Sequence, residues 1–208
     1  MSPGASTSVP SQRWRAICRE QGVGEIYLVS VRSFDKNNPL TIGFDAAVQF
    51  PPLQIPCQDL TESDCIKTSP GFAGVIRAYQ DASEFSLSEV KSEDYPLHLG
   101  LMPSWDNTAR RQNQAHVFIN ASPEVYESWL EHVLQFARRT LPENQRFVFV
   151  NAWNEWAEGN CLEPDVRHGR GWLEAVRRAR ELGCYRVQLT SNQARPEAHR
   201  FYESHGFV

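Results

Sequence analysis

Apolar positions along the chain fall into short blocks that switch between the period of a strand and the period of a helix. Residues 13–21 (RWRAICREQ) have helical spacing, and Gly22 and Gly24 end that helix. The run EIYLVSV at 25–31 is apolar without strict alternation, as in a strand buried on both faces of a parallel sheet. Residues 33–70 form a long irregular stretch, rich in Pro, Asp and Ser and containing GFDAAVQFPP, so they build a site or lack order. Further strands are expected at 74–80, 97–105 and 146–153. The clearest helix is 123–140, with Ser122 as its N-cap and Pro123 at its first position. Its stripe of Tyr126, Trp129, Leu130, Val133, Leu134 and Ala137 reads as core packing. A second helix at 172–182 stops at Gly183, followed by a fifth strand at 185–191 and a last helix at 195–206.

Strand and helix in alternation predict an α/β fold with parallel strands and right-handed crossovers. A full (β/α) barrel of the TIM type takes about 250 residues, so five strands in 208 residues fit half of one. Composition adds exclusions rather than assignments. With 41% apolar and 22% charged residues the chain has globular composition, and a net charge of −4 gives no reason to expect nucleic acid as a partner. No apolar run is long enough for a membrane span. Residues 1–12 (MSPGASTSVPSQ) lack the basic and apolar regions of a signal peptide and are expected to be a disordered arm. Five cysteines without a C-x-x-C pair indicate free thiols in a reducing, cytoplasmic setting, and the six histidines have no metal-ligand spacing. No cofactor or metal is expected for the main part of the chain.

Chemistry concentrates where strands end. After the strand at 146–153 come Trp153, Asn154, Glu155, Trp156 and Glu158, then Glu163 and Asp165. Catalytic residues of barrel enzymes occupy this position. Two carboxyl groups beside indole rings suit glycoside chemistry, with one acid kept protonated by an apolar neighbour and the other ionised. The same E-x-x-E spacing also suits a solvated loop whose acids cap the next helix. A second cluster follows the strand at 97–105: Trp105, Asp106, Asn107, Thr108, Arg110 and Arg111. Asp106 and Asn107 could meet sugar hydroxyls and Arg110 an anion, or the group could form an Asx-type turn. Asp45, among the aromatics of GFDAAVQFPP, is a third candidate for substrate contact, although a loop packed on the barrel rim accounts equally for that segment.

The motifs WDNTARR (105–111), INASPEVYESWL (119–130) and VNAWNEWAEGNCLEPD (150–165), with GFDAAVQFPP and WRAICREQGVGEIYLVS, closely resemble WbsX-type glycosyltransferases. These proteins, often named for lipopolysaccharide biosynthesis, are similar to the endo-α-mannosidases of glycoside hydrolase family 99. The likeness spans about residues 13–172 and implies a glycan substrate and a retaining mechanism. By its N-E-W-x-E-G element, Glu155 is the base that engages the sugar 2-hydroxyl and Glu158 the acid that protonates the leaving oxygen. Asn154 is a neighbouring sugar contact on the same basis. Family members are longer, so the resemblance implies a barrel lacking its N-terminal half, slow or absent turnover, and exposed sheet edges through which copies could associate. Residues 173–208 instead resemble the end of GNAT-family N-acetyltransferases. That likeness implies a βα unit in which Asn192 and Tyr202 would face acetyl-CoA. Arg167 stands one place too close to Gly169 and Gly171 for that family's pyrophosphate loop. An acetyltransferase, or a non-catalytic chimeric fragment, is therefore the alternative function.

Overall fold

A computed structural model describes residues 9–34, 37–88, 93–181 and Arg200. The expected strand at 185–191, most of the last helix, Gly183, Asn192 and Tyr202 lie outside the described residues, as do residues 1–8.

Among the described residues, five α-helices and ten short strands make a mixed α/β domain. Helix α1 (Pro10–Glu20) begins inside the segment expected to be an arm. Proline presets the helical φ at its first turn, and the Ser11 hydroxyl is buried, donating to the Ile42 carbonyl at 2.7 Å. Strands β1 (Val29–Arg32), β2 (Ala46–Gln49) and β4 (Leu97–His98) form a parallel sheet in the order β1-β2-β4. Strand β5 (Gly100–Leu101) pairs in parallel with β8 (Phe149–Val150), and Leu99 alone separates β4 from β5. The four segments therefore run side by side in chain order.

Strand β2 corrects the reading of residues 33–70 as irregular. Its sequence, Ala-Ala-Val-Gln, has low strand propensity, yet Ala46 and Ala47 are fully buried between neighbours. Small side chains let those neighbours close in, so tertiary packing overrides propensity. A Cβ on Gly100 would stand 2.3 Å from the Gln49 carbonyl oxygen, so the two strands need glycine where they meet.

The strand expected at 74–80 is present over a shorter span, in a second sheet. Strand β3 (Val75–Ala78) does not join the main row, and helix α2 (Tyr79–Ser88) starts directly after it. It pairs in parallel with β7 (His116–Ile119), which pairs antiparallel with β6 (Trp105–Asp106). This second sheet is built from the connections that leave the C-terminal ends of β2 and β5. It divides the expected strand at 97–105 into β4, β5 and β6.

Helix α4 (Pro123–Thr140) has the bounds that its sequence predicts, and all six stripe residues are buried. The Ser122 hydroxyl accepts the Val125 N–H at its start. It packs against α2, β5 and α5 (Gly171–Glu181). Edge-to-face aromatic pairs lock the layer: Tyr79 with Trp129 and Tyr126 with Trp172.

Candidate active site

The chain beyond β8 is fastened before it turns. Asn151 donates its side-chain amide to the Pro51 carbonyl at 2.7 Å, joining the ends of β8 and β2. Strands β9 (Asn154–Glu155) and β10 (Asn160–Cys161) then form a small antiparallel hairpin in which Glu155 faces Asn160 and Asn154 faces Cys161. A single 3-10 turn, Trp156–Glu158, joins them and closes at Gly159 with φ of +56°. That conformation favours glycine, and a Cβ there would lie 2.8 Å from the Asp106 carbonyl oxygen.

Gly159 thus brings the two sequence-predicted clusters into contact. The Ser104 hydroxyl donates to the Gly159 carbonyl. Arg110, on the short helix α3 (Thr108–Arg111), pairs its guanidinium with the Glu158 carboxylate. Burial pushes the Glu158 carboxyl above its ordinary range; Arg110 opposes this, and the nearby charge of Glu155 reinforces it. Its side chain is 13% exposed, whereas Glu155 lies open to solvent. Two carboxyl groups at one turn therefore have unlike surroundings, the arrangement in which one acts as acid and the other as base.

The other predicted residues divide by role. Trp153 and Trp105 are buried, and Trp153 receives the Leu162 N–H on its carbonyl. Trp156 is 68% exposed and donates its indole N–H to Glu163 at 2.7 Å, which holds a flat aromatic face toward solvent beside the acids. Asn154 is exposed at the hairpin. Asp106 forms the Asx-type turn, accepting the Thr108 N–H at 2.9 Å and the Thr108 hydroxyl. Asn107 is buried and accepts the His116 N–H at 2.8 Å, tying the second sheet to this loop. Asp45 is not brought to the cluster. It caps the N-terminal end of β2, accepting the Leu28 N–H and pairing with Arg15, each at 2.7 Å. Asp165 accepts N–H groups from Arg167, His168 and the Trp172 indole. Burial raises its pKa, but those hydrogen bonds outweigh burial and hold it low.

Sequence reasoning misses Ser104, Gly159 and Asn160. Asn160 is wholly enclosed, and neither polar atom of its side chain has a partner among the described residues. The glycine directly after E-x-x-E is the signal that a tight return belongs there. Among the described residues, no group of His, Cys, Asp and Glu could hold a metal ion.

A cleft of about 590 Å3 opens elsewhere on this end of the domain, lined by Phe34, Pro52, Leu53, Ile55, Arg77 and His116 among others. None of the sequence-predicted site residues lines it.

The molecule is thus a mixed α/β domain with an acid cluster where its parallel strands end. It belongs to the WbsX glycosyltransferase family, whose model matches residues 5–176. The uncharacterized protein WxcX of Xanthomonas campestris pv. campestris, in each of two strains, is 41% identical over 167 residues. That match covers 80% of this chain and 24% of WxcX, so the chain spans about a quarter of the length of these relatives. A solved glycoside hydrolase-like protein superposes with a TM-score of 0.49 at 17% identity, over 84% of this chain and 50% of the other. No helix among the described residues is long and apolar enough to cross a membrane.

Proposed function

We propose that the chain is a sector of a (β/α) barrel that cleaves or transfers α-linked sugars in polysaccharide or lipopolysaccharide metabolism. Glu158 is the general acid and Glu155 the base that engages the sugar 2-hydroxyl. The observation that carries this reading is the half-buried Glu158 carboxyl, raised in pKa and set beside an exposed Glu155 at the strand ends. Membership of a glycosyltransferase family and parallel strands in chain order support it. In the reaction, Glu158 delivers its proton to the glycosidic oxygen as the bond to the anomeric carbon breaks. Glu155 draws the 2-hydroxyl proton as that oxygen attacks the anomeric carbon, so an O2–C1 bond forms while the bond to the leaving oxygen breaks, with inversion. In the second step water, or a sugar hydroxyl in transfer, gives its proton to Glu158 and attacks the anomeric carbon. The O2–C1 bond opens, Glu155 returns its proton to the 2-oxygen, and the second inversion restores the configuration. Trp156 offers its ring to a sugar face, and Asn154 and Asp106 lie within the same loop pair.

Four described cysteines are free thiols, in keeping with a cytoplasmic site of action. The test is turnover of an aryl α-mannoside with a poor leaving group, followed by proton NMR. The α-anomer should appear first, at a low rate, and both Glu158→Gln and Glu155→Gln should reduce kcat/KM at least about a hundredfold. An unchanged rate in Glu158→Gln, or the β-anomer as first product, overturns the assignment.

A further inference from the structure

The cleft of about 590 Å3 beside the second sheet has walls of two kinds. One is apolar, with Leu53, Ile55 and the ring of Phe34, which is 90% exposed. The other is a face of the second sheet. Val75 of β3 stands opposite His116 of β7, and residues two apart on a strand share a face, so Arg77 and His116 are diagonal neighbours there. The Arg77 Nε is buried and has no hydrogen-bond partner among the described residues. Arg77 also lines the cleft, and a guanidinium there can donate N–H groups to an anion. Arg111 places a second guanidinium within electrostatic reach of His116. Asp59 is a carboxylate within electrostatic reach of Arg77 and His116, and its Oδ1 accepts the Thr61 N–H at 2.9 Å and the Thr61 hydroxyl. Among the described residues that line the cleft, Arg77 carries a charge and none is a carboxylate.

We propose that the cleft is a second glycan subsite for a sugar bearing an anionic group, with the anion on Arg77 and the sugar ring against Phe34. This rests on the glycan-active reading given above and extends it to substrate class. The subsite is fixed relative to the acids by one side chain. Asn107 accepts the His116 N–H and opens the helix that carries Arg110, the partner of Glu158. An acidic sugar held in the cleft would thereby be registered against the scissile bond.

The test is a titration of the 208-residue chain with methyl glucuronide, glucose 1-phosphate and methyl glucoside, followed by calorimetry and by amide chemical shifts. One anionic probe should bind at least about tenfold tighter than the neutral one. The uronide and phosphate arms separate a carboxylate from a phosphate as the recognised group. Shifts should centre on residues 52–56 and 76–78. Arg77→Gln should abolish the preference, Arg77→Lys should retain part of it, and Glu158→Gln should leave it intact. Equal affinity for all three probes, no binding up to about 20 mM, shifts centred elsewhere, or a preference that survives in folded Arg77→Gln overturns the proposal. If Arg77→Gln fails to fold, the shift map and Phe34→Ala, expected to weaken all three probes alike, decide. Loss of the preference with Glu158-dependent turnover intact sinks the subsite alone. The preference without that dependence sinks the catalytic reading alone.

Discussion

The Glu158 carboxyl is pulled in opposite directions by its enclosure and by Arg110, with enclosure stronger. Removing the guanidinium leaves burial and the Glu155 charge, both of which raise the pKa further. Arg110→Ala should therefore move the basic limb of the kcat/KM profile to higher pH, because the acid keeps its proton longer. A pH series on an aryl α-mannoside reads this directly, and a downward shift contradicts it. The same sign has a consequence for stability. A carboxyl whose folded pKa lies above its unfolded value costs stability above the ordinary carboxylate range and costs nothing in strong acid. Glu158→Gln should thus unfold no more easily at neutral pH, and could gain about 0.5–1 kcal/mol, in urea titrations near pH 7. At this scale the sequence is informative wherever chemistry is local. The turn that holds Glu155 and Glu158 and the Asx turn at Asp106 follow from residue types at short spacing. Asp45 does not, because its partners Arg15 and Leu28 are set by how α1 and β1 dock on β2.

At the scale of elements, helix α4 and the hairpin β9–β10 carry opposite lessons. A stripe at helical spacing with a serine cap defines α4 without reference to anything else. Trp129, 1% exposed, fills the space between α4 and α2, and Trp129→Ala should cost about 3–5 kcal/mol by denaturant unfolding. The hairpin instead depends on a long-range fit, since Gly159 at φ of +56° abuts the backbone of Asp106. Gly159→Ala should lower kcat/KM more than it lowers stability, because it pushes apart the two loops that place Arg110 against Glu158. Circular dichroism melting and kinetics on the same preparation separate the two effects. Strand β2 is illegible locally for a related reason: Ala-Ala-Val-Gln, between Asp45 and a Phe-Pro-Pro run, becomes a strand only when β1 and β4 close on it.

In the whole molecule, the two outer members of the parallel row, β1 and β8, have no further strand beside them among the described residues. Val31 and Phe34 near one edge and Phe147 and Phe149 near the other are large, apolar and at least 41% exposed. Unpaired strand edges with apolar flanks invite pairing. Light scattering on size-fractionated protein should show association that rises with concentration, and Phe149→Lys should reduce it. Alternating strands and helices make the α/β class legible from periodicity, while the second sheet is not, since β3, β6 and β7 are brief segments paired across distant parts of the chain. In the proposed reaction Glu158 gives a proton to a leaving sugar oxygen while Glu155 works on the sugar itself. The most direct measurement of this is the dependence of rate on leaving group across a series of aryl α-mannosides. Glu158→Gln should lose activity on poor leaving groups but keep most of it on dinitrophenyl mannoside, and Glu155→Gln should lose both. Equal loss across the series in Glu158→Gln would contradict the account.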